Sequence, residues 1–256
     1  MNLKFLFKNS YRDLRSGSLN LILISLTIAI GSISCISFLS DRVKQSLNRD
    51  IQASLGGDRR ITSTEKIPND WIVKAEDSKI SWAKGVRFPT MAMNGNNTKL
   101  ISLKAVSENY PLKGNLEIDT PNGLKINPKI SEGEIWIDPT LTSLLNVSFD
   151  EYIYIGEEKF KVTGIVSSEP DRGLNFVNFA PRIFLSLKDL SSTGLIQSGS
   201  RVTYRLWLRT DDISSLDDFQ DKVKGEFNSS HKIDTIENSR PDLLEALKRA
   251  DSFLSL

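Results

Sequence analysis

Residues able to do chemistry are few in this sequence and stand far apart along the chain. His231 is the single histidine and Cys35 the single cysteine among 256 residues. A zinc site draws three or four ligands from thiols, imidazoles and carboxylates, so none is expected here. His231 stands in a polar, loop-like run (Asn228-Ser229-Ser230-His231) and reads as an exposed surface residue rather than a base beside a nucleophile. The acidic pairs Glu157-Glu158 and Asp211-Asp212 fall at expected turns or helix starts, where solvated acids are ordinary. The run Gly56-Gly57-Asp58-Arg59-Arg60 has the composition of an anion-binding turn, but a helix stop followed by a strand is the simpler reading. No G-x-x-x-x-G-K-[ST] phosphate loop and no G-x-S-x-G nucleophile elbow occurs. No catalytic, cofactor-binding or metal-ligating residue is assigned, no cofactor is expected, and the chain is not read as an enzyme.

The distribution of charge says more. Residues 1–18 carry Lys4, Lys8, Arg12 and Arg15 against Asp13 alone, which leaves 29 basic and 31 acidic residues for the rest of the chain. No basic field remains to suggest nucleic acid as a partner. Between Arg15 and Asp41 there is no charged residue, and Leu19 to Leu39 is long enough to cross a hydrocarbon core of about 30 Å at about 1.5 Å per residue. Positive charge before the span predicts a cytoplasmic N-terminus with everything after Ser40 outside. A cleaved signal peptide would have a shorter apolar core and a small-x-small site. A lipoprotein signal would place Cys35 after a leucine-bearing motif rather than inside a continuing apolar run. A retained anchor is therefore expected, with the lipid membrane as a partner. The exported part, without cysteine, has to hold together by core burial alone.

Periodicity supplies the elements. Leu3, Phe7, Tyr11 and Leu14, with basic neighbours, predict an amphipathic cytoplasmic segment over 1–18. After the span (19–40), Val43, Leu47, Ile51 and Leu55 extend the helix as a stalk that Gly56-Gly57 stops. Strands are predicted at Arg60–Thr64, Thr90–Asn94, Thr98–Val106, Glu134–Ile137, Tyr152–Ile155, Phe160–Val166, Val202–Leu208 and Lys232–Ile236. Helices are predicted over Pro68–Glu76, from Asp138-Pro139 to Leu145, and around Leu216–Phe227 with Ser215 and Asp218 as a capping pair. Residues 107–133, rich in Pro, Gly, Asn and Lys, read as loops. The fold class is α+β: a β-α-β layer, with an inserted β-rich subdomain at about 107–199 forming its own small barrel or sandwich. The exported domain runs over 41–241. A last helix over 242–256 (Leu243, Leu247, Ala250, Leu254) is expected to pair with the first stalk and to lead into a second span, so the natural protein is expected to be longer.

This order of parts resembles the FtsX-like permease family of ABC transporters, with a MacB-like periplasmic core domain. The resemblance rests on Tyr11-Arg12-Asp13-Leu14-Arg15-Ser16-Gly17, Leu55-Gly56-Gly57-Asp58, and Leu103-Lys104-Ala105-Val106 running to Tyr110-Pro111-Leu112-Lys113-Gly114. It continues through Gly133-Glu134-Ile135-Trp136-Ile137-Asp138-Pro139, Glu169-Pro170-Asp171-Arg172-Gly173 and Thr193-Gly194-Leu195-Ile196-Gln197 with Gly199-Ser200-Arg201. It implies the inner membrane as location, a periplasmic domain with porter-like and sabre-like parts, and a separate cytoplasmic ATPase subunit. It further implies motion passed from that ATPase to the periplasm, for export or extraction of a lipophilic substrate, with a periplasmic partner. The remaining spans of such a permease are missing, so this stretch alone is not expected to transport. The competing reading is a single-pass, signal-anchored periplasmic binding or adaptor protein.

Overall fold

The computed structural model describes residues 18–171, 180–197, 199–235, 245 and 249. The expected amphipathic start and the expected descending helix over 242–256 with its pairing therefore lie outside the described residues, apart from Glu245 and Arg249. The chain divides into two compact units, Arg49–Pro241 and the remainder.

Helix α1 runs unbroken over Ser18–Leu55, as the uncharged run and the four-residue stripe predict. Its stretch Asn20–Val43 is exposed and, at 24 residues, long and apolar enough to cross a membrane. The folded unit adds β1 (Arg59–Ser63), α2 (Asn69–Asp77), β2 (Ser81–Asn94), β3 (Asn97–Val106), β4 (Glu117–Thr120) and β5 (Gly123–Ile126). It continues with β6 (Glu134–Ile137), α3 (Pro139–Leu144), β7 (Tyr152–Ile155), β8 (Glu158–Ser168), β9 (Arg182–Ser186), β10 (Thr203–Arg209), α4 (Ile213–Lys224) and β11 (His231–Thr235).

Strands β11-β1-β10-β2 form the β-α-β layer. β10 is antiparallel to both β1 and β2, and β1 is antiparallel to β11, so two β-α-β crossovers interleave. Their helices cover one face. Trp71 and Ala75 of α2 and Leu216, Phe219 and Val223 of α4 pack on Ile61, Leu206 and Leu208. Each side chain on β10 alternates sides as the sequence predicts: Leu206 and Leu208 face these helices, and Trp207 enters a core on the other side. The cap of α4 is Asp212, whose carboxylate accepts from the Ser214 amide at 3.1 Å; the helix starts earlier than the expected Ser215–Asp218 pair allows.

The expected separation of the inserted part into its own sheet is corrected. β9 pairs in parallel with β3 from Ser102↔Arg182 to Val106↔Ser186 and antiparallel with β6, so one hydrogen-bonded sheet runs through both parts. Without β9, the outer edge of β3 would expose a row of unpaired amides and carbonyls. A barrel does form, but it borrows two strands from outside the insertion. β7 pairs with β8 and also with β2, through Ala92↔Ile155 and Met93↔Tyr154, which closes the ring β2-β3-β9-β6-β8-β7. Inward residues from every strand, among them Phe88, Leu103, Ile135, Ile153, Phe160 and Ile183, fill it. The 14-residue β2 is long enough to serve both the barrel and the β-α-β layer. The region expected to be loop contains the β4–β5 hairpin, docked onto β8 through β4.

Candidate functional site

Four strands of the shared sheet place a basic residue on the face opposite α2 and α4: Arg205 on β10, Arg87 on β2, Lys104 on β3 and Arg182 on β9. Alternation along each strand puts them with Trp207, Val106 and Phe184, which belong to the core on that side. Arg87 and Lys104 are direct cross-strand partners. Like charges facing each other across a ladder repel. The answer to that repulsion comes from the loop after β8, which brings in Glu169 and Asp171.

Lys104 lies at the centre and is buried to 1% exposure. Its Nζ donates to Glu169 Oε1 at 2.7 Å, to Tyr110 Oη at 2.8 Å and to Asp171. Tyr110 Oη donates to Asp171 Oδ1 at 2.6 Å, Arg205 Nη1 donates to Asp171 Oδ2 at 3.0 Å, and Arg182 pairs with Glu169. The ammonium also sits 4.3 Å from the ring centre of Tyr110, 5.1 Å from Phe184 and 5.5 Å from Trp207. Cation–π attraction is strongest where the cation has lost its water.

Burial pushes the Lys104 ammonium below its usual pKa, against the opposing pull of Asp171 and Glu169. Burial also pushes the Asp171 carboxyl up, but Lys104 and Arg205 outweigh it and hold the group well below the carboxylate range. The Tyr110 hydroxyl is raised by burial and by the two carboxylates. Arg87 is lowered to about 10, by burial first and then by Arg205 and Arg182. The cluster can tie two loops to a sheet. Among the described residues no group of histidine, cysteine and carboxylates could hold a metal.

The same cluster abuts the end of α1. Gly56 adopts φ +79°, and a Cβ there would lie 3.0 Å from Trp207 Nε1. Its carbonyl accepts from the amides of Leu112 and Lys113, both at 3.2 Å, while the Asp58 amide donates to Leu208 O at 2.8 Å. Asp58 pairs with Lys113 and accepts from the Thr210 amide at 3.2 Å. At Gly114 a Cβ would meet Ala53 O and Pro170 Cβ at 2.7 Å. The helix end is thus seated in a socket made by Tyr110–Gly114, β10 and the Glu169–Asp171 turn.

The residues weighed from sequence fall elsewhere. His231 is half-buried, not exposed: its ring lies 5.0 Å from Trp71 and 5.5 Å from Phe227, and its Nδ1 accepts from the Asn228 amide at 3.3 Å. Glu157 and Glu158 occupy the β7–β8 turn and the start of β8, and Asp212 caps α4. Arg59 and Arg60 are engaged by groups of the fold itself. Arg59 donates to Leu216 O and Gln220 Oε1 at 2.9 and 2.8 Å, and Arg60 pairs with Asp234 at 2.8 Å. The buried cluster itself was not assigned from sequence. Its only signal there was that Leu103–Val106, Tyr110–Gly114 and Glu169–Asp171 each carry the resemblance.

The family model of the MacB-like periplasmic core domain matches residues 21–226. The chain belongs to that family. Over 246 residues it is 30% identical to the uncharacterized ABC transporter permease YbbP of Escherichia coli (strain K12), covering 96% of this chain and 30% of that protein. The chain thus spans about a third of the length of this curated relative. Among solved structures, the periplasmic region of MacB from Actinobacillus actinomycetemcomitans matches at 12% identity and a TM-score of 0.49, over 77% of this chain and 97% of that one. The extracellular domain of the noncanonic ABC-type transporter YknZ from Gram-positive bacteria matches at 8% identity and a TM-score of 0.47, over 69% and 100%.

Proposed function

We propose that this chain is the N-terminal part of the permease subunit of an ABC transporter, and that its domain carries motion from a separate cytoplasmic ATPase subunit to the periplasm. In this reading residues 1–18 are cytoplasmic, 19–40 cross the inner membrane, 41–241 form the periplasmic domain with 107–199 as its inserted β-rich part, and 242–256 lead to a second span. The work done is export or extraction of a lipophilic substrate.

The observation that carries the reading is the continuity of α1. One helix of 38 residues, about 57 Å at about 1.5 Å per residue, runs from an exposed apolar segment to a buried socket without a break. A helix transmits displacement only if its end cannot swivel. The hydrogen bonds from Leu112 and Lys113 to Gly56, and the charge cluster behind Trp207, supply that restraint.

The test is made on the full-length gene product with an affinity tag. Co-purification of an ABC ATPase subunit, and labelling of a cysteine at exposed Ser143 by a membrane-impermeant maleimide from the periplasmic side, are expected. A protein that purifies alone, with no ATPase bound, would instead be an anchored adaptor, and labelling only after lysis would reverse the topology.

A further inference from the structure

On the face covered by α2 and α4, a groove of about 500 Å³ opens where the β-α-β layer meets the barrel. Small-molecule sites of roughly 300–1,000 Å³ are mainly apolar, with a few placed polar groups. Val86, Leu190, Ile196 and Tyr204 give this groove an apolar wall, and Lys66 and Lys84 supply its charge. Among the described residues no aspartate or glutamate lines it. Arg205 borders it as well, but its side chain leaves through the opposite face to reach Asp171.

Lys84 Nζ donates to Asn69 Oδ1 at 2.9 Å, which uses one of its three N–H donors. Neither Lys84 nor Lys66 forms an ion pair among the described residues. The nearby Glu65 is engaged by Asn228 Nδ2 at 3.1 Å. Burial, and then Lys66, lower the pKa of Lys84. A partly buried Lys84 between exposed Lys66 and an apolar wall is unfavourable unless a ligand brings an anion, because Lys84 loses water beside a like charge and gains no counter-charge among the described residues. The arrangement has the two ends that an acyl chain with an ionised head requires.

We infer that this groove binds an anionic amphiphile, with its carboxylate or phosphate on Lys66 and Lys84 and its acyl chain along Val86, Leu190 and Ile196. The inference deepens the reading of a lipophilic cargo by naming the charge of its head group. It rests on that reading only for its role in transport.

The experiment uses the full chain in phosphatidylcholine nanodiscs and three diazirine-bearing probes: palmitic acid, a lysophosphatidic acid and the neutral hexadecanol. After photolysis, mass spectrometry locates the adducts. Adducts on groove residues are expected from the two acidic probes, and far fewer from the alcohol. Whichever acidic probe labels more strongly distinguishes a free fatty acid from a phospholipid-derived ligand. Lys66→Glu with Lys84→Glu should cut acidic labelling of the groove about tenfold, the loss expected for a charge-assisted contact. Should that pair unfold the domain, Lys66→Gln with Lys84→Gln supplies the same comparison, and Ser191→Trp should block all probes by filling the groove. Adducts confined to Asn20–Val43, equal labelling by alcohol and acid, or full labelling of folded charge variants would overturn the site. None of these results bears on ATPase co-purification, so the permease reading fails or stands separately.

Discussion

The buried cluster makes an unequal prediction for its two central members. Among the described residues it contains four cations, Arg87, Lys104, Arg182 and Arg205, facing two carboxylates, Glu169 and Asp171. Replacing Asp171 by Asn removes the charge that holds Lys104 and Arg205, and it leaves Lys104 with Glu169 as its remaining carboxylate among the described residues. Stranding a buried charge by removing its partner costs about 3–5 kcal/mol. Replacing Lys104 by Met removes one of the excess cations and leaves Asp171 bonded to Tyr110 and Arg205. An apolar side chain then sits among Tyr110, Phe184 and Trp207, where it packs well. Exchange of a buried ionic group for an apolar one of similar volume is often close to neutral. Asp171→Asn should therefore lower stability by about 3 kcal/mol or more, and Lys104→Met by about 1 kcal/mol or less. In a folded unit of this size the first corresponds to roughly 6–12 °C in Tm. The assay is thermal unfolding of the full chain in detergent, followed by tryptophan fluorescence, in which Trp207 reports the cluster directly. Acid adds a second readout. Because the folded-state pKa of Asp171 is depressed, its stabilisation is fully present above the usual carboxylate value of about 3.9 and is lost as pH falls below it. That acid-dependent loss should shrink in Asp171→Asn. Equal or greater damage from Lys104→Met would refute the charge argument and leave only packing.

Other expectations follow from single contacts. Gly56→Ala should cost about 1–3 kcal/mol, because alanine is strained at φ +79° and its methyl meets Trp207; unfolding curves would show it. Asp212→Ala should lose about 1 kcal/mol by leaving the Ser214 amide uncapped, measurable by urea unfolding. Ile155→Ala, inside the barrel where β7 bridges β2 and β8, should cost about 2–5 kcal/mol, while exposed Leu124→Ser changes little. The chain should show no specific ATP binding in calorimetry, since it carries no phosphate loop; a stoichiometric heat signal would contradict the division of labour proposed for the two subunits.

Much of the local structure was legible in the residues. An uncharged run joined to a four-residue stripe, with no proline between, can only be a long helix, and α1 is one. Asn94-Gly95-Asn96-Asn97 between alternating runs marked the β2–β3 hairpin, and Asp138-Pro139 marked the start of α3 with its cap. These signals are local: sterics, capping and period act within a few residues. Strand β9 gave no such signal. All five of its residues, including Arg182 and Ser186, are buried, and that composition reads as strand only once Glu169 is known to neutralise the arginine. The β4–β5 hairpin was hidden in the same way, since β5 is exposed along its length and only β4 has a partner strand beyond it. Closure of the barrel depends on β7 meeting β2 about 60 positions earlier in the chain, and no window of sequence contains both. The charge cluster is the clearest case. Lys104, Glu169, Asp171 and Arg205 are unremarkable where each stands in the chain. They become one buried network only because the sheet sets β3, β9, β2 and β10 side by side and the loop after β8 folds back across them. Burial is what raises the energy of these charges and what makes each partner necessary, and burial is a property of the assembled fold.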